Sequence, residues 1–291
     1  VRLPVLLLSA LPVSLAIALA APDARAQAEP AESEYPLSFV ERPLTLSRLT
    51  LAPELEFEVA RNPDGAGVTP VGINLGATFG ITRNIEVGAF FLPLTFTPKF
   101  SYGNPVEPES NLQVFSTFRF LNVRAFEMGA RLRAYFITTG GAGAQIVPSI
   151  PLLIHLGRVG RIDAEVEVPI TVRGSSTSNG TVVASGTVAG LNVPISIAFD
   201  IIEPLHVGLS TGVQVEDFSA AKDTLVVPLG FFAGFAIGGK RPYLDIDGFF
   251  QWGQFIAPAA ADNSTTGPGL GKINAGDFNT GLAVKGYFYF F

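Results

Sequence analysis

Glu54, Glu56 and Glu58 alternate with apolar residues, as do Asp163, Glu165 and Glu167. Glu127, Arg131 and Arg133 share one parity in another stretch, and Asp245 and Asp247 in a fourth. Side chains two residues apart lie on one face of a β-strand. The chemistry such rows offer is a wall of fixed charge facing water, suited to attracting or excluding ions. It is not a metal cage, because residues at i and i+2 of a strand stand about 6.5–7 Å apart. Catalysis would need a base, and the chain has two histidines, His155 and His206. A lipid-modifying hydrolase pairs such a histidine with a serine. Position 157 is glycine, and so is position 208. Ser210 lies about 13 Å from His206 along an extended chain, too far for a hydrogen bond. Only contacts across strands could rescue that chemistry.

The elements that must carry these rows are strands. Approximate alternating segments fall at 47–60, 68–81, 85–96, 111–121, 124–138, 146–156, 161–173, 186–199, 205–216, 224–237, 242–254 and 277–291. Most are long enough to cross a thin bilayer when tilted. Their connections alternate between tight ones, at 82–84, 122–123, 157–160, 200–204 and 238–241, and longer ones rich in Gly, Ser and Asn. Short turns on one side and long loops on the other define an up-and-down barrel. The expected fold is therefore an all-β, transmembrane, antiparallel β-barrel of twelve strands, with ten or fourteen as the alternatives.

Composition agrees. The 291 residues are 48% hydrophobic and only 15% charged, with 24 Phe and 31 Gly. Yet beyond residue 21 there is no apolar run of about 18 residues to form a membrane helix. A net charge of −6 and the absence of a basic patch argue against a nucleic-acid partner. With no cysteine, disulfides, zinc–thiolate sites and cysteine nucleophiles are excluded. No cofactor is expected. The Gly-rich stretches at 140–143 and 267–272 lack the helix and hydroxyl of a phosphate loop and read as loops.

Arg2, the apolar run 3–21 and Ala24-Arg25-Ala26 match the three parts of a secretory signal peptide. The expected organisation is a cleaved signal at 1–26, an acidic, Pro-rich periplasmic tether at 27–46, and a barrel at 47–291.

The stretch 80–88, Gly-Ile-Thr-Arg-Asn-Ile-Glu-Val-Gly, resembles a strand–turn–strand phrase of bacterial outer-membrane barrels of the porin and transporter type. The last five residues, Tyr-Phe-Tyr-Phe-Phe, are similar to the C-terminal aromatic signal of those proteins. The resemblance implies an outer-membrane location, lipid contact, and assembly by the outer-membrane machinery through Tyr287, Tyr289 and Phe291. One departure stands out. If Lys285 faces inward, Phe288 and Phe290 face outward and Phe291 inward, whereas the family signal turns its last Phe outward. A β-bulge between Lys285 and Phe291 would reconcile the two.

Twelve tilted strands enclose a backbone diameter of roughly 24 Å, leaving a bore of roughly 10 Å or less once side chains are added. The residues expected to line it are Glu54, Glu56, Glu58, Arg119, Glu127, Arg131, Arg133, Asp163, Glu165, Glu167, Asp245, Asp247 and Lys285, with Glu86, Arg173 and Glu216. Acids outnumber bases. The bases cluster on strands four and five, and the acids on strands one, seven and eleven, which suggests a transverse field. The expected function is a passive channel for ions or small solutes with a cation preference. The alternatives are a closed structural barrel, a lipid-modifying enzyme, and a soluble exported sandwich. Loop 255–276 could fold inward as a constriction.

Overall fold

A computed structural model describes residues 35–61, 71–96, 100–101, 112–123, 125–137, 143–173, 176–178, 181–183, 186–221, 225–256 and 278–290. Twelve staves make up the wall. They are β1 (Thr50–Arg61), β2 (Val71–Thr82), β3 (Ile85–Phe96), β4 (Leu112–Val123), β5 (Phe126–Ile137) and β6 (Gly143–His155). β7 is Gly160–Glu167 resuming as Ile170–Arg173, and β8 is Gly186–Ala189 resuming as Leu191–Ile202. β9 (Leu205–Val215), β10 (Leu225–Gly238) and β11 (Pro242–Ile256) follow. β12 is Phe278–Gly286 resuming as Phe288–Tyr289. Each stave pairs antiparallel with its sequence neighbours, and β12 returns to β1 with Lys285 opposite Glu54. The ring is closed, as expected, with no free edge to template aggregation.

Parity explains why this sequence closes. Leu75, Ile150 and Leu209 point outward and are 47%, 48% and 49% exposed. Glu127 and Glu165 point inward and are 4% and 8% exposed. Apolar residues outside and carboxylates inside reverse the arrangement of a soluble domain. Strand edges fall within a few residues of expectation. β6 begins at Gly143 instead of 146, and β8 runs on to Ile202, leaving only 203–204 as the turn. Pro169 interrupts β7 because it has no N–H to give, but its carbonyl accepts from Gly190 N at 3.0 Å and keeps β8 in register.

The bulge that would reconcile Lys285 with an outward terminal Phe does not occur between Lys285 and Tyr289. Lys285 faces Glu54 and Tyr289 faces Thr50, so four residues on one stave match four on the other. Lys285, Tyr287 and Tyr289 therefore point inward, while Phe288 and Phe290 are exposed outside. Phe291 lies outside the described residues.

The described part of the expected tether, 35–46, is not a free linker. Residues 35–49 cross the mouth of the barrel at its tight-turn end, with a single 3₁₀ turn at Phe39–Glu41. Gly80 permits the crossing, since a Cβ there would stand 2.1 Å from Ser47 O. Leu49 then bends the chain into the wall at φ 55°. Its N–H donates to Gly80 O at 2.7 Å, and its carbonyl accepts from Phe290 N at 2.8 Å.

Candidate functional site

The crossing segment is held by the strand ends that ring the mouth. Arg42 is buried and paired with Asp245 of β11, whose carboxylate also accepts from Tyr287 Oη at 2.6 Å. Arg42 also donates to Leu37 O at 3.1 Å and Pro36 O at 3.2 Å. The rings of Tyr35, Phe39 and Tyr287 surround it within 5.4–5.7 Å. Burial opposes its charge, but the Asp245 carboxylate beside it counters that, and the guanidinium is held above its ordinary range. Burial likewise pushes the Tyr35 hydroxyl up.

Phe39 stacks on His206 with ring centroids 4.1 Å apart, and Arg161 Cζ lies 4.8 Å from the same phenyl centroid. Arg161, itself paired with Asp163, donates to Phe39 O at 3.0 Å and Arg42 O at 3.1 Å. Two wall carboxylates cap backbone N–H groups of the segment: Glu127 accepts from Leu44 and Glu86 from Leu46, both at 3.0 Å. Ser38 donates to Asp200 at 2.6 Å. These polar groups would otherwise be orphaned in a buried mouth. Sequence reasoning missed Phe39, Arg42 and Arg161. Arg161 shares the parity of Asp163, Glu165 and Glu167, a signal that could have placed it on the lumen face.

Further along the lumen, the expected transverse field is largely neutralised locally. Arg131 meets Glu165 at 2.9 Å, and Arg133 meets Glu165 at 2.7 Å and Glu167 at 2.5 Å. These bonds run from β5 to β7 across β6, where Val147 and Ser149 are small enough to let the long side chains pass. Arg131 also lies 3.9 Å from Glu86, and Arg119 pairs with Glu127 at 2.9 Å. The arginines therefore brace one half of the wall instead of facing β11 across the lumen. The backbone of Arg173 pairs with Gly143 of β6.

On the other half, Glu54 pairs with Lys285 at 2.8 Å and Asp247 with His206 Nε2 at 3.1 Å. Glu56 and Glu58 meet no base among the described residues. Glu58 accepts from Asn279 Nδ2 at 2.9 Å. Their cross-strand neighbours are Asn74 and Ala283 for Glu56, and Gly72 and Gly281 for Glu58, which leaves the carboxylates with small or neutral company. Phe90, Phe115, Phe232 and Phe249 also face inward, each ring lying over a glycine of the adjacent strand: Gly76, Gly88, Gly208 and Gly281. A flat ring over a glycine keeps a large residue out of the bore.

Glu216 is exposed beyond β9. Most of loop 255–276 lies outside the described residues, but Phe255 and Ile256 belong to β11. No cluster of three metal-ligating side chains occurs among the described residues, and no described helix is long and apolar enough to cross a membrane.

No family model matches the chain, and no curated protein matches it in sequence. Solved structures do match in shape. An outer-membrane channel from Pseudomonas putida F1 aligns with TM-score 0.54 at 10% identity, over 89% of this chain and 99% of that one. The NanC porin aligns with TM-score 0.51 at 9% identity, over 81% of this chain and 98% of that one. Closed ring, inverted burial, charged lumen and these likenesses agree: the chain has the fold of the outer-membrane β-barrel porins and channels.

Proposed function

We propose that this chain is a narrow, passive channel of the bacterial outer membrane, passing ions or small solutes with a preference for cations. The observation that carries the preference is the pair Glu56 and Glu58, lumen carboxylates that no described base neutralises. When ionised, such carboxylates inside a low-dielectric wall raise the local concentration of cations and repel anions. The structures it resembles include a porin and an outer-membrane channel, which supports transport as the role of the fold. Export by a cleaved signal peptide and insertion by the outer-membrane assembly machinery, guided by Tyr287, Tyr289 and Phe291, belong to the same reading. The lumen half braced by arginine is its scaffold, and residues 35–49 narrow its tight-turn mouth.

A lipid-modifying enzyme is a poorer fit. His155 and His206 are engaged by residues 39–40 and by the acids Glu127 and Asp247, which leaves neither ring paired with a described hydroxyl. The occupied mouth does favour a second reading, a closed barrel without transport. Single-channel recording of the full chain across a salt gradient separates the two. A reversal potential of cation-selective sign supports the channel. Anion selectivity overturns the preference, and silence in both the full chain and a Phe39→Ala variant overturns the channel itself.

A further inference from the structure

We propose that His155 is a proton-operated latch, holding the N-terminal segment in the mouth when charged and releasing it when neutral. The chain's two histidines both touch the same 3₁₀ turn, but only His155 hydrogen-bonds to its backbone. His155 Nδ1 lies 2.8 Å from Val40 O, and Nε2 lies 3.3 Å from Glu127 Oε1. A peptide carbonyl and a carboxylate are both acceptors. A neutral imidazole has one N–H, so it can serve one of them and must present a lone pair to the other. Only the imidazolium donates to both. The docked geometry thus selects the protonated ring, and by linkage protonation favours docking.

The groups facing the ring fix the sign. Glu127 of β5 attracts the proton, and it also caps Leu44 of the segment and pairs with Arg119 of β4. Arg161 of β7, opposite His155 in the register, opposes the proton, but its charge is taken by Asp163. At the turn beyond, Arg158 and Glu41 form an exposed pair at 3.7 Å, too weakly coupled to decide the outcome. When pH rises and the ring deprotonates, an acceptor is left facing an acceptor, either at Val40 O or at Glu127. Docking is then weakened from both ends, because Glu127 is shared with Leu44.

The consequence for conduction rests on the channel reading, but docking can be measured without it. The chain has no cysteine, so Glu41→Cys carries a single nitroxide label in the full-length protein in liposomes. The label should be immobilised near pH 5 and gain a mobile fraction towards about pH 8, the range in which histidine titrates. The ratio of docked to released segment should fall about 10- to 100-fold, the worth of one charge-assisted hydrogen bond. His155→Gln should abolish the response, whereas Arg158→Gln, at an exposed residue of the neighbouring turn, should keep it. A label whose mobility is flat with pH in the otherwise unaltered chain overturns the latch, whatever the variants do. A His155→Gln protein that titrates like its parent overturns it equally.

Discussion

Phe39 and His206 lie face to face, their planes inclined by only 12°. One ring belongs to the crossing segment and the other to the wall, and Phe232 closes the edge at 6.5 Å from Phe39. The aromatic contact therefore fixes where the 3₁₀ turn sits, while the hydrogen bonds around it fix its orientation.

Phe39→Ala should remove about 2 kcal/mol of docking free energy, the scale for losing a largely buried aromatic side chain. The barrel itself should stay folded, because Phe39 is no part of the strand ladder. Faster swelling of liposomes in small neutral sugars, with an unchanged strand signal in circular dichroism, is the expected result.

The pair of Arg42 and Asp245 is buried on both sides. Asp245→Asn leaves a guanidinium without its counter-charge and should cost about 3–5 kcal/mol. Arg42→Met combined with Asp245→Asn should recover part of that loss, since no buried charge then remains unpaired. Thermal denaturation of the two single variants and the double variant checks this, the double variant losing well under the sum of the two single losses.

The barrel was legible in the sequence because charge and greasiness obey a period of two, and a misplaced charge on the outer face is expensive. That rule located β1, β5, β7 and β11 through Glu54, Glu127, Asp163 and Asp245. It cannot see what a side chain meets two strands away. Arg133 and Glu167 were both placed on the lumen face, but their bond across Val147 depends on register between three strands. The crossing segment was illegible for another reason. Residues 35–49 have no periodicity, and their acidic, Pro-rich surroundings read as linker. Their order comes from the wall: Glu86, Glu127, Arg161 and Asp245 supply partners that local sequence cannot announce. A lone Arg42 beside Phe39 in an acidic stretch was the available hint.

Glu56→Gln with Glu58→Gln should shift the reversal potential in a salt gradient towards zero while leaving the folded barrel intact. Neither carboxylate holds a described ion pair, so no cation is stranded by the change. The same substitution at Glu165 and Glu167 should lower stability and move selectivity towards anions, because Arg131 and Arg133 would lose their partners.

Gly76→Ala tests the role of glycine beneath the lumen phenylalanines. The new Cβ would stand 2.2 Å from Phe90 Cδ1, so the ring must swing into the bore. Single-channel conductance should fall, and a Gly76→Ala/Phe90→Leu double variant should restore it, with no change in selectivity.

Leu49 touches Gly80 from the beginning of the barrel and Phe290 from its end. The contact with Phe290 joins residues near the two ends of the described chain, and contacts of long sequence separation are the slowest to form. The seat for residues 35–49 is therefore incomplete until the first and last staves have met. A barrel still open at that seam cannot seat the segment, and the molecule acquires its narrowed mouth in the same event that closes its wall.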